Sequence, residues 1–153
     1  MKAALLIALL ASGCIQDETD TGPSVTMTLS TDNGSSVTSD DSDPQLDLQG
    51  MPALAVTLEV DTQAGANDVD DTSYAVTQFT GSLSIPTTSF TEADFTSDGN
   101  GDGPTYTGND PVMVPASAAG KTIAVTLSAQ DSRGLSANPL SFTVKVVDSG
   151  NGN

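Results

Sequence analysis

The chain has 153 residues, with four Lys and Arg against 20 Asp and Glu, and a formal net charge of −16. This balance excludes nucleic-acid binding, because phosphate contacts need clustered basic side chains. There is no His and no Trp, and there is a single Cys. Ser-His-Asp and Cys-His catalysis therefore lack a base, zinc sites lack their usual ligands, and no disulfide can form within the chain.

The first 13 residues are predicted to form a secretory signal. Lys2 precedes an apolar run over residues 3–11, and small residues then lead to Cys14. A positive start, an apolar run of about 7–15 residues and a small-residue exit are typical of a signal peptide. The run is too short for a membrane-spanning helix, which needs about 20 apolar residues.

The sequence Ala11-Ser12-Gly13-Cys14 resembles the lipobox of bacterial lipoproteins, with Ala11 where that family prefers Leu. The resemblance implies cleavage before Cys14, acylation of its thiol and new amine, and a lipid-anchored place in the cell envelope. Ile15 stands where Asp often marks inner-membrane retention, which implies the outer membrane if the organism has two. The alternative is an ordinary secreted protein with an incidental Cys. Residues 14–23 are predicted to be the lipidated Cys and a polar tether.

From Ser24 the sequence alternates between apolar and polar residues, which predicts strands that are buried on one face. The alternation is regular over residues 25–29, 54–60, 123–129 and 140–146, and weaker over residues 46–48, 74–80, 82–85 and 112–114. We therefore predict an all-β fold over residues 24–148, an antiparallel β-sandwich of about seven or eight strands. Residues 81–115 are predicted to be a loop-rich crossover at one end, and residues 149–153 a disordered tail.

The end of this domain resembles the closing hairpin of bacterial immunoglobulin-like domains of the PKD and cadherin-like kind. Those hairpins often join two strands through Ala-x-Asp-x-x-Gly, a pattern that Ala129, Asp131 and Gly134 match. The resemblance implies an immunoglobulin-like sandwich. Asp131 and Arg133 are predicted to shape the turn, since an Asp side chain readily bonds the backbone just after it.

One stretch matches the first half of a calcium-binding loop. Asp98, Asn100 and Asp102 alternate with glycines, a pattern that turns oxygen ligands toward one point, and Asp94 and Asp110 are near enough in sequence to contribute. An EF-hand is excluded because Asn109 occupies the place of the last acidic ligand. The alternative is a solvated turn. The same alternative explains a second acidic cluster, Asp68, Asp70 and Asp71.

These features favour a non-enzymatic surface lipoprotein, displayed for adhesion, envelope structure or protein contact. Its predicted partners are the lipid bilayer, through acylated Cys14, and an envelope protein or polysaccharide. The alternative function is a polysaccharide-binding module assisted by calcium, in which Tyr106 beside the acidic loop is the suggestive aromatic residue. An enzyme is disfavoured because no pair of carboxylates is positioned for acid–base chemistry.

Overall fold

A computed structural model describes residues 20–66 and 73–150 of the chain. The predicted signal, Cys14 and most of the predicted tether lie outside the described residues. So does the second acidic cluster, Asp68, Asp70 and Asp71.

The described residues contain thirteen strands and two short 3-10 helices, at Glu92–Asp94 and Ala116–Ala118. None of these helices is long and apolar enough to cross a membrane. The strands, in chain order, are β1 (Ser24–Thr31), β2 (Ser36–Thr38), β3 (Gln45–Asp47), β4 (Ala53–Gln63), β5 (Gly65–Ala66), β6 (Ser73–Tyr74), β7 (Val76–Ser84), β8 (Thr87–Thr91), β9 (Phe95–Ser97), β10 (Thr105–Gly108), β11 (Val112–Pro115), β12 (Thr122–Asp131) and β13 (Leu140–Val147).

The strands form an all-β sandwich, as the sequence predicted. One sheet has the order β2-β1-β4-β10-β9, with β11 also pairing with β4, and the other has the order β3-β13-β12-β7-β8. All pairs in the two sheets are antiparallel except β3 with β13, which is parallel. A two-stranded sheet of β5 and β6 lies apart. The strand number exceeds the expected seven or eight because several strands are only two to four residues long.

The regular alternation of the sequence becomes the buried face of each long strand. In β12 every second residue from Ile123 to Asp131 is buried, and in β4 the same holds from Leu54 to Thr62. The residues between them face outward and are mostly Thr, Ser and Ala. Since each strand buries one face only, the period-two pattern predicted these strands correctly.

The structure corrects the prediction of a loop-rich crossover over residues 81–115. This segment contains the end of β7 and all of β8, β9, β10 and β11, and it completes one side of both sheets. The weaker signals over residues 82–85 and 112–114 match the end of β7 and β11. The sequence obscured β8, β9 and β10 because they are short and rich in Thr, Ser and Gly. Their outer positions are exposed or half-buried, so few apolar residues mark the alternation.

The packed domain extends slightly beyond its predicted limits at both ends. Thr21 bonds to Ala66 through its amide and its hydroxyl, and Pro23 is buried. At the other end, the amide and hydroxyl of Ser149 both donate to the carboxylate of Asp47. The domain therefore includes the last residues of the predicted tether and the first of the predicted tail.

An aromatic cluster joins the two sheets. Phe79 of β7 packs edge-on against Phe95 of β9 and Tyr106 of β10, with 5.1 Å between ring centroids in each pair. Phe90 of β8 adds a tilted contact to Phe95 at 5.6 Å. Each such pair contributes about 0.5–1.5 kcal/mol beyond its burial. Gly81 makes room for Phe90, because a Cβ there would lie 2.2 Å from the ring.

We expect Phe79→Ala to lower the free energy of unfolding by about 3–5 kcal/mol, because it leaves a cavity where both sheets meet. Urea unfolding followed by circular dichroism measures this loss. Phe142→Ala is the matched control, since its ring is only partly buried against the same core. An equal loss in the two variants would contradict the central position of Phe79.

Candidate functional site

Arg133 holds the point where the chain enters the domain. Its Nε and Nη2 donate to Oδ2 of Asp131 at 3.0 and 2.7 Å, and Nη2 also donates to the carbonyl of Thr21 at 3.1 Å. Nη1 lies 3.6 Å from a carboxylate oxygen of Asp20, and the guanidinium stacks 4.1 Å from the ring centre of Tyr74. One side chain therefore ties the closing hairpin to the entering segment.

The turn between β12 and β13 orients Arg133. Oδ1 of Asp131 accepts bonds from the amides of Arg133 and Leu135 at 2.8 and 3.0 Å, and Gly134 adopts a positive φ of 85°. The predicted role of Asp131 in shaping this turn is confirmed. The reach of Arg133 to Thr21 was not predicted, although the residue is the only Arg in the chain and lies two positions from an acid.

The electrostatics of Asp131 follow from its surroundings. Burial raises the pKa of its carboxyl, but the Arg133 guanidinium and the amides of Leu135 and Arg133 outweigh burial, so the net pKa is lowered. A carboxyl whose folded pKa is below its unfolded value stabilises the fold above the unfolded pKa, about 3.9. This contribution is lost as the pH falls through the folded pKa.

These contacts define one end of the sandwich, which we name the proximal pole. It consists of residues 20–22, the end of β4, the β9–β10 connection and the β12–β13 connection. The amide of Ala64 after β4 donates to the carbonyl of Asp102 at 2.9 Å. The hydroxyl of Thr62 donates to the carbonyl of Pro104 at 2.7 Å. The predicted calcium loop therefore lies at the end where the chain enters.

Within that loop, side-chain oxygens of two predicted ligands bond the loop's own backbone. Oδ1 of Asp98 accepts the amides of Asn100 and Thr105 at 3.0 and 3.2 Å, and Oδ1 of Asn100 lies 3.5 Å from the amide of Asp102. Such bonds are the ordinary chemistry of Asp and Asn in turns. Among residues 20–66 and 73–150, no three acidic or Cys side chains are grouped closely enough to hold a metal ion.

Asp94 and Asp110 do not join this loop, which corrects their predicted contribution. In the β9–β10 hairpin, Ser97 pairs with Tyr106 and Phe95 with Gly108, so residues 98 and 94 lie at opposite ends of the hairpin. Asp94 instead accepts a bond from the amide of Thr91 at 2.8 Å, where it caps the 3-10 helix. Calcium at Asp98, Asn100 and Asp102 alone stays a prediction.

Tyr106 is not an exposed sugar-binding ring. It packs against Phe79, its hydroxyl donates to the carbonyl of Val76 at 2.9 Å, and burial, with the charges of Glu92 and Asp98, raises its pKa. The described residues include all six aromatic residues of the chain, and each is buried or half-buried. Tyr106 therefore does not offer the exposed ring that made it suggestive, and the polysaccharide alternative stays a prediction.

A cavity of about 430 Å³ opens at the side of the sandwich, and we name it the lateral cavity. It forms because β4 changes partners: β10 pairs with it as far as Glu59 and β11 begins at Val56. Residues 109–111 lead from one strand to the other. The lining includes Leu58, Phe90, Phe95 and Met113, together with Asp94 and Asp110.

Comparison with protein-family models, with curated proteins and with solved structures finds no match to this chain.

We expect Asp131→Asn to lower the free energy of unfolding by about 2–4 kcal/mol at pH 7, because it leaves the Arg133 guanidinium without its buried partner. The difference from the wild type should shrink as the pH falls below about 4, where the wild-type carboxyl also loses its charge. Chemical unfolding at several pH values measures it. Asp32→Asn, an exposed residue with the same change in charge, is the control, and a pH-independent difference would contradict the assignment.

The calcium prediction is tested by thermal unfolding in calcium, in magnesium and in chelator at equal ionic strength. Specific binding should raise the midpoint more in millimolar calcium than in magnesium, and Asp102→Asn should remove that difference. Equal midpoints in the two cations would contradict it and leave only the screening of a strongly negative surface.

Proposed function

We propose that this chain is a non-enzymatic lipoprotein of the cell envelope, whose β-sandwich is held at a membrane by acylated Cys14 for protein contact, adhesion or envelope structure. The sequence support is the signal pattern that ends in Ala11-Ser12-Gly13-Cys14. Stable attachment needs more than one acyl chain, which a lipidated Cys with an acylated amine supplies.

The structural observation that carries the proposal is the fixed entry of the chain at the proximal pole. Arg133 and Ala66 hold Thr21 there, only seven positions after Cys14. A domain on so short a connection presents one end to the membrane and the other end outward. Since β12 spans the sandwich with ten residues, the far end stands about 33 Å from the entry.

The charge of the domain supports the same arrangement. Loss of Lys2 with the signal leaves three basic residues against 20 acidic ones. An anionic surface is repelled by anionic headgroups, so the domain does not lie flat on the bilayer and its attachment depends on the lipid. The sides and far end of the sandwich are then accessible to other envelope components.

We expect Cys14→Ser to shift the protein from the membrane to the soluble fraction, because an acidic domain is repelled by anionic headgroups once the lipid is lost. Fractionation after a high-salt wash, followed by immunoblotting, measures the distribution. Ser12→Ala is the matched control, since it keeps a small residue before the cleavage site and should leave the protein with the membrane. A Cys14→Ser variant that still pellets with membrane would contradict the proposal.

A further inference from the structure

We propose that the free edge of β8 and the lateral cavity together bind an extended, basic segment of a partner protein. The segment adds a strand beside β8, and a Lys or Arg side chain of that segment enters the cavity. This inference rests on the proposed function, because it names the class of partner that the anchored module contacts.

The first support is the edge strand itself. β8 is the last strand of its sheet and pairs only with β7 among the described residues. Its sequence, Thr-Thr-Ser-Phe-Thr, contains no charge and no Pro. Proteins usually protect a free edge with Lys, with Pro or by making the strand very short, because unpaired peptide groups accept another strand.

The strands at the ends of the sheets are shorter elsewhere. At the opposite edge of the same sheet, β3 has only three residues, and the Lys145–Asp43 ion pair lies beside it. In the other sheet the end strands β2 and β9 also have three residues each. The outer edge of residues 140–144 in β13 extends beyond β3 and is also uncharged, but none of these residues lines the lateral cavity. The five uncharged residues of β8 are therefore the edge that has this cavity beside it.

The second support is the lining of the lateral cavity, which adjoins this edge through Thr88, Ser89 and Phe90. Phe90 and Phe95 supply apolar walls, and Met113 is the exposed large apolar side chain of the described residues, at 50% exposure. Such a pocket next to an edge strand takes one side chain of an added strand, as strand addition generally does.

The third support is charge. Asp94 and Asp110 stand in the lining beside the apolar residues, and no basic residue is part of it. A Lys or Arg side chain has an apolar stem and a cationic head, which match apolar walls with acidic groups beside them. The charge of −16 on the whole chain would also attract a basic partner and speed its encounter.

The same charge argues against a second copy of this chain as the occupant. Two copies that paired through β8 would bring two strongly negative molecules together. Of the three basic residues outside the signal, Arg133 and Lys145 are already in ion pairs. A basic partner is therefore the occupant that this surface fits.

The test uses the full chain as purified from cells, in a non-ionic detergent, and a fluorescent nine-residue peptide of alternating Thr and Val with one central Lys. Fluorescence anisotropy at low and at moderate salt measures its binding. Two control peptides carry Glu in place of Lys, or N-methyl groups on alternate amides. We expect the Lys peptide to bind, the Glu peptide to bind at least about tenfold more weakly, and the N-methylated peptide not to bind.

Two variants locate the binding. Asp110→Asn should weaken binding of the Lys peptide about two- to fivefold, the scale of one exposed ion pair. Asp32→Asn makes the same change in charge at the β1–β2 turn, on the other side of the molecule, and should leave the affinity almost unchanged.

No binding of the Lys peptide, equal binding of the three peptides, or equal effects of the two variants would overturn this inference. Membrane fractionation of the Cys14→Ser variant is independent of these outcomes. Failure here would thus leave the proposed anchor standing, and failure of the anchor would leave the peptide result interpretable.

Discussion

The packing of Phe79 against Phe95 and Tyr106 is the interaction on which the arrangement of this protein depends. The Phe79 ring, from one sheet, packs against two aromatic residues of the other sheet. A single Cys can form no disulfide within the chain, so the core alone must stabilise the sandwich. The same contact fixes the β9–β10 hairpin, which places the acidic loop at the proximal pole and Asp110 at the lateral cavity.

A second constraint is the burial of Asp131 with Arg133. An isolated buried carboxylate is costly, and here the guanidinium and two amides compensate it. Because Arg133 also bonds Thr21, the energy that stabilises the turn also fixes the entering segment. Arg133 thereby fixes the point at which the chain enters the domain.

The sequence predicted the strands that have one fully buried face and failed where both faces are partly exposed. The alternation of β1, β4, β12 and β13 was sufficient, and the weaker signal over residues 112–114 matches β11. The residues of β8, β9 and β10 are too polar to show the alternation. Side-chain sites were harder to predict, because proximity in sequence is not proximity in a hairpin. Asp94 lies four residues from Asp98 yet at the other end of β9, and the polar sequence around Tyr106 gave no sign that its ring is half-buried. The lateral cavity depends on β4 changing partners, which no local pattern reveals.

These constraints are consistent with the proposals that a lipid holds the acidic sandwich at one end and that β8 binds a partner at its side. The central claim is the covalent lipid on Cys14. Mass spectrometry of the amino-terminal peptide from membrane-purified protein tests it most directly. The account predicts a peptide that begins at Cys14 and carries the added mass of diacylglycerol and an acyl chain. A peptide that begins elsewhere, or an unmodified Cys14, would contradict it.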